Sequence, residues 1–249
     1  MRVRFKGKLP PDVLLEEVLE KLPISGEGVL LGPSLGEDAA ILEVGDGLLA
    51  IHSDPVTGGG RLAGWLSVYV ASNDVATRGI RPKWLLTVFL FRDGVTREEI
   101  SELVGQVGRA ARQVGATVVG GHTEVTPGLP FNVVVTTALG TGDRVINTRD
   151  ARPGDLLVLT KDAALEGTAI LSSELGDVLR ERGVREAIIR GARGFIGEIS
   201  VVDEALLSAK SGVARAMHDP TEGGVLGGVQ EMALASGTGF RIYEDRVPL

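Results

Sequence analysis

Five short acidic signatures carry the residues that could do chemistry. Gly36-Glu37-Asp38 comes first, followed by His52-Ser53-Asp54, Ser72-Asn73-Asp74, Gly120-Gly121-His122-Thr123-Glu124 and His218-Asp219-Pro220-Thr221-Glu222-Gly223-Gly224. Carboxylates are hard oxygen ligands suited to Mg²⁺, and a nucleotide phosphate supplies further oxygens. Asp38, Asp54 and Asp74 fall just before, just after and at the end of expected regular elements, where separate loops can converge on one ion. Taken singly, each equally well caps a helix or stabilises a turn. Taken together, they point to a metal–phosphate site and an ATP-using enzyme.

The glycines and histidines fit the same chemistry less specifically. Gly58-Gly59-Gly60 and Gly120-Gly121 can turn backbone N–H groups toward a phosphate, although each alone is more often a plain turn. Neither is a Walker loop, since no Gly-Lys-Ser or Gly-Lys-Thr occurs, and no dinucleotide fingerprint opens a helix after a strand. His122 titrates near neutrality and can touch a phosphate or move a proton. His218 and Asp219 are adjacent. Thr221 is placed to cap a helix opening at Gly223-Gly224, whose amide end suits an anion. Lys161, Arg144, Arg149 and Arg152 can meet a phosphate or simply face water. The three histidines are too scattered for zinc without thiolates, and no Gly-x-Ser-x-Gly supports serine hydrolysis.

Composition narrows the class further. The 249 residues suffice for one large domain or two smaller ones, and 43% hydrophobic with 24% charged residues argues against disorder. A net charge of -7 disfavours a nucleic-acid or anionic-membrane surface. Cysteine is absent, so disulfides, zinc–thiolate sites and thiol nucleophiles are excluded within these residues. No apolar run approaches the roughly 20 residues of a membrane span, and a soluble cytoplasmic protein is expected. Aromatics are only 4%, so the core must be built from Val, Leu, Ile and Ala.

Elements that could position these residues follow from periodicity and turn chemistry. A helix is expected over 12–19 and a loop over 24–37. Strands 39–44 and 48–52 flank a tight Gly45-Asp46-Gly47 turn. A helix over 62–77 is followed by a strand over 83–91. Thr96-Arg97-Glu98-Glu99 reads as a capping box for a helix running to about 114. Gly115 ends that helix. A short strand over 116–119 is expected to stop at Gly120-Gly121, and another strand covers 131–139. The polar stretch 147–155 marks the expected boundary, giving units of 1–148 and 149–249. In the second unit, strands are expected over 156–160, 213–217 and 239–243. Helices are expected over 166–179, 184–193, 203–209 and 224–235. That unit has few strands for its helices and is expected to be an incomplete α/β domain of a longer natural chain.

Leu35-Gly36-Glu37-Asp38-Ala39-Ala40, Ser53-Asp54, Ala71-Ser72-Asn73-Asp74-Val75-Ala76, Gly79-Ile80-Arg81-Pro82, Gly120-Gly121-His122-Thr123 and Asp219-Pro220-Thr221-Glu222-Gly223-Gly224 occur in an ordered series. The series resembles the AIR synthase (PurM-like) superfamily, which includes thiamine-monophosphate kinase, selenophosphate synthetase and a hydrogenase maturation protein. The Asp-Pro-Thr segment and the opening Gly7-Lys8-Leu9-Pro10-Pro11 are most similar to the hydrogenase branch.

The resemblance implies an α/β (α+β) fold. Its N-terminal ATP-binding domain has a mixed sheet that forms a barrel across a homodimer, and a second α/β domain closes on it. It further implies ATP and Mg²⁺ as cofactors, with Asp38, Asp54 and Asp74 as metal carboxylates. Asn73, Gly120, Gly121, Thr123, Gly58 and Gly59 become nucleotide contacts, and Asp54, His122 and Asp219 become catalytic. The substrate would be a small molecule or a group carried by a partner protein. A thiamine-monophosphate kinase-like enzyme and a non-catalytic nucleotide-binding scaffold are the alternatives. Two positions depart from the family pattern: Glu37 replaces the first Asp of Gly-Asp-Asp, and His122 replaces the Asp of Gly-Gly-Asp-Thr.

Overall fold

The computed structural model of the chain describes residues 9–249; the Gly7-Lys8 part of the opening motif lies outside them. A six-stranded mixed sheet organises the first half. Its strands are β1 (Val29–Leu31), β2 (Ala40–Val44), β3 (Gly47–Val56), β4 (Trp84–Phe91), β5 (Thr117–Val125) and β6 (Val133–Gly142), in the spatial order β1-β2-β3-β6-β4-β5. Only β4 and β5 run parallel. A parallel pair needs a crossover, and the helix α3 (Arg97–Val114) supplies it. Between β2 and β3 the expected tight turn forms, with Val44 paired to Gly47 and Gly45 at φ 58°.

The helix α2 (Ala63–Thr77) follows β3 and packs on β3, β6 and α3. Every residue of it except Trp65 is buried. A helix apolar all round belongs in a core, so the weak helix propensity of Val68-Tyr69-Val70 is overridden by burial. The same burial carries Ser72, Asn73, Asp74 and Thr77 into the interior, where each needs a partner.

Over α3 the capping box is complete. The Thr96 hydroxyl accepts from the Glu99 N–H at 3.2 Å, and the Glu99 carboxylate accepts from the Thr96 N–H at 2.9 Å. Such a cap contributes about 1 kcal/mol. Leu103, Val107, Ala110, Ala111 and Val114 form the buried stripe, and Gly115 at φ 75° ends the helix in the left-handed region.

The second half is helical. An N-terminal helix α1 (Pro11–Glu17) lies before the sheet, and α4 (Leu165–Glu174), α5 (Gly176–Glu181), α6 (Glu186–Gly194), α7 (Val202–Ser211) and α8 (Gly224–Ser236) follow it. The helix expected over 166–179 is broken at Leu175, which leaves helical geometry at φ -110°, ψ 22°. The strands expected over 156–160, 213–217 and 239–243 do not form. A strand needs a neighbour to receive its ladder, and none pairs with these segments among the described residues. Leu156 and Val158 are 90% and 74% exposed as a result.

Two differences concern the first half. Strand β1 lies inside the expected loop over 24–37. Strand β5 does not stop at Gly120-Gly121 but continues to Val125. The register shifts between Leu85 and Leu86, and Gly121 sits opposite Thr87 at φ 148°. A Cβ there would lie 1.8 Å from the Thr87 carbonyl oxygen. Those glycines let two backbones approach within the sheet instead of ending a strand. The sheet of the single chain stays open, with β5 at its edge. No helix among the described residues is long and apolar enough to cross a membrane.

Candidate metal and nucleotide site

Four separate segments converge at the C-terminal half of α2. Helical spacing puts Asn73, Asp74, Thr77 and Arg78 within a turn and a half of one another. On β3, His52 and Asp54 share a face because side chains alternate along a strand. The loop before β2 brings Glu37 and Asp38, and the stretch leading to α8 brings His218 and Asp219. One ligand atom from each of His52, Asp54 and Asp74 lies within 4.8 Å of the others, and the same holds for Asp38, His218 and Asp219. The two groups are contiguous, since Asp74 is close enough to feel Asp219, Asp38 and Asp54.

Asp38 is held from three sides. Its Oδ2 accepts from the Thr77 hydroxyl at 2.8 Å and from Arg78 Nη2 at 2.9 Å, and its Oδ1 bonds His218 Nδ1. The other ring nitrogen of His218 bonds Glu231 of α8 at 2.8 Å. Burial works against the imidazolium, but these two carboxylates outweigh it and raise the His218 pKa to about 10. Gly36, at φ 76°, lets the loop lie against α8: a Cβ there would meet the Glu231 carbonyl oxygen at 2.4 Å.

The remaining carboxylates repel. Burial raises Asp74 well above the usual carboxylate range, and the charges of Asp219, Asp38 and Asp54 raise it further. Burial, then Asp38, pushes Asp219 up to about 8. Asp219 is 7% exposed, and its Oδ1 has no hydrogen-bond partner. A buried carboxylate oxygen without a donor costs roughly 1–3 kcal/mol or more. A hard divalent cation would offset both that cost and the repulsion, so the residues present fit Mg²⁺.

A cavity of about 1570 Å³ opens beside the cluster, between α2 and the second half of the chain. Asp54, Gly58, Gly59, Asn73, His218 and Asp219 line it. Glu166 of α4 also lines it; burial, and then the Asp54 charge, raises the pKa of its carboxyl.

The sequence-derived candidates thus separate into groups. Asp38, Asp54, Asp74 and Asp219 come together, with Gly58 and Gly59 on the cavity that Asp54 and Asp219 line. Asn73 reaches the site, but its amide is engaged on both sides: Nδ2 donates to the Ile199 carbonyl at 3.1 Å and Oδ1 accepts from the Val201 N–H at 2.9 Å. Gly120, Gly121, His122 and Thr123 lie on β5, separated from β3 by β4 and β6. His122 is exposed there and pairs with Glu124 at 3.2 Å. Sequence reasoning missed Arg78, Glu231 and Glu166, for which no local pattern exists. It also passed over His52 as a site residue, although the spacing of two from Asp54 on a strand was a usable signal.

Family models for the AIR synthase related protein match the chain twice: the N-terminal domain over residues 36–141 and the C-terminal domain over 152–249. The chain belongs to the AIR synthase related family. It is 26% identical over 250 residues to the putative hydrogenase expression/formation protein MJ0676 of Methanocaldococcus jannaschii, covering 98% of this chain and 72% of that protein. Against the hydrogenase expression/formation protein HupE of Azotobacter chroococcum mcd 1, identity is 30%, over 86% of this chain and 62% of the relative. A selenide, water dikinase of Geobacter metallireducens is also 30% identical, over 94% and 68%.

Among solved structures, AaThiL complexed with AMPPCP and TMP superposes with a TM-score of 0.76 at 19% identity, over 99% of this chain and 77% of that one. The hydrogenase maturation protein HypE in complex with ATP gives 0.64 at 25%, over 90% and 65%. Both the mixed sheet and the helices packed on it are therefore those of the PurM-like fold.

Proposed function

We propose that the chain is an ATP- and Mg²⁺-dependent phosphoryl-transfer enzyme, similar to HypE, whose acceptor is a small molecule or a group carried by a partner protein. The observation that carries this reading is the convergence of Asp38, Asp54, Asp74 and Asp219 beside a cavity that Asp54 and Asp219 line, with a buried Asp219 oxygen left without a donor. The HypE structure solved with ATP and the selenide, water dikinase relative support the same chemistry.

In this reading Asp38, Asp54, Asp74 and Asp219 hold Mg²⁺. The ion supplies charge neutralisation for the transferring phosphoryl group. Gly58 and Gly59 offer a backbone approach for phosphate at the cavity wall. Asn73 fastens the 199–201 segment, so a nucleotide contact from its amide requires that pairing to open. His122, Gly120, Gly121 and Thr123 serve the sheet edge of their own chain.

We also assign a homodimer to this edge. All nine residues of β5 are exposed, including Val118, Val119 and Val125, and an unpaired apolar edge invites a second strand. A barrel across the two-fold axis would satisfy it. Equilibrium binding of ATP with and without Mg²⁺, followed by an ADP-release assay, tests the assignment. Failure of the wild type to bind ATP or ADP at millimolar concentration would sink it.

A further inference from the structure

Arg78 is the largest fully buried side chain among the described residues. It follows the last turn of α2, and its guanidinium reaches four residues from three other parts of the chain. Nη1 donates to Glu37 Oε2 at 2.6 Å. Nη2 lies 2.9 Å from Asp38 Oδ2, 2.8 Å from the Thr148 hydroxyl and 2.9 Å from the Met217 carbonyl oxygen. These partners come from the loop before β2, the crossover between the two halves and the stretch leading into His218-Asp219.

Glu37 is consumed by the same network. Its Oε2 accepts from Arg78 and from the Thr148 N–H at 3.0 Å. Its Oε1 accepts from the Arg149 N–H at 3.2 Å and from Arg149 Nε at 2.8 Å. Four donors fill the roughly four acceptor positions of a carboxylate, so nothing remains for an ion. Of the adjacent pair Glu37 and Asp38, only Asp38 keeps a face toward the carboxylate cluster.

We propose that Arg78 is a positioning residue that aims Asp38 at the cation site and ties that aim to the docking of residues 148–149 and 217. The inference rests on the cation site assigned under Proposed function. A planar fork suits this task, since it spans several acceptors at fixed angles. Lysine would bring the charge but only a point donor. Loss of the fork would leave two neighbouring buried carboxylates, each 2% exposed, and would open one acceptor position on Glu37 toward the ion.

Manganese binding reads this directly and needs no turnover. The probe is Mn²⁺ titrated into nucleotide-free protein, with free Mn²⁺ followed by electron paramagnetic resonance. Wild type, Arg78→Lys and Thr148→Val are compared, each checked for folding by circular dichroism. Arg81→Ala, which breaks only the exposed Arg81–Asp203 pair, is the control. Expected is Mn²⁺ binding by wild type, roughly tenfold or greater weakening in Arg78→Lys, a smaller weakening in Thr148→Val and no change in the control.

Wild-type affinity in Arg78→Lys overturns the proposal, as does a wild type that binds no Mn²⁺. Should Arg78→Lys not fold, Thr148→Val decides: unchanged affinity there also overturns it. Arg78-dependent Mn²⁺ binding by a protein that does not bind ATP would leave the positioning role standing and remove the phosphoryl-transfer reading.

Discussion

Asp38 and His218 are 180 residues apart in sequence and share a side-chain hydrogen bond in a nearly dry interior. That bond closes the second half of the chain over the first. His218→Ala should leave Asp38 and Glu231 without their shared cationic partner. Removing one member of a buried charged pair costs about 3–5 kcal/mol. Urea denaturation should show a loss of that order; a loss below about 1 kcal/mol would contradict the clamp.

The carboxylate cluster predicts a trade between stability and binding. At pH 9, above the Asp219 pKa of about 8, Asp219→Asn removes one repelling charge and should raise the thermal midpoint of metal-free protein in EDTA. The same variant should lose most of the midpoint increase that Mg²⁺ gives the wild type. That increase corresponds to about 2.7 kcal/mol at a ligand concentration of 100 Kd. A variant that is both less stable in EDTA and equally responsive to Mg²⁺ would refute the role of Asp219.

pH should act on the metal-free protein in a defined direction. Asp219 is raised in the fold from 3.8 to about 8, so folded protein holds its proton more tightly than unfolded chain does. Stability therefore falls as pH rises through that interval. His218 is raised from 6.5 to about 10, so its favourable contribution is complete below about 6.5 and is lost as pH rises toward 10. Both effects work together between pH 6.5 and 8. Thermal scans in EDTA should show a falling midpoint across that window, and excess Mg²⁺ should flatten the fall.

Gly121 separates a packing glycine from a nucleotide-binding one. Gly121→Val drives a side chain into the Thr87 carbonyl and should destabilise the protein by about 3 kcal/mol. Its ATP affinity, measured well below the lowered melting temperature, should stay within a few-fold of wild type. A stable variant with abolished ATP binding would return Gly121 to the phosphate site.

The exposed edge makes the final prediction. Sedimentation velocity should find a wild-type dimer and a monomeric Val119→Lys variant, because a charge on an edge strand discourages pairing. A wild type that sediments only as monomer would remove the dimer assignment.

Local chemistry was legible in the amino acids themselves. The Thr96–Glu99 box, the Gly45-Asp46 turn and the Gly115 stop depend on residues within a few positions, so their spacing suffices. The acidic signatures were legible as candidates because carboxylates next to glycine and strand ends suit a cation. Their convergence was not, since Asp38, Asp54, Asp74 and Asp219 meet only when α2 is buried against the sheet and the second half docks.

Tertiary contacts also decided between alternatives that sequence left open. Gly120-Gly121 reads as a strand end, but pairing with β4 carries the strand through it. Residues 156–160 read as a strand, yet without a neighbouring edge they stay unpaired. Glu37 and Asp38 look alike side by side, yet in the fold Glu37 takes donors from Arg78, Thr148 and Arg149 while Asp38 meets His218 and Asp219. The acidic residue types supplied the charge; packing determined which of them meet, because a buried carboxylate does what its donors leave it free to do.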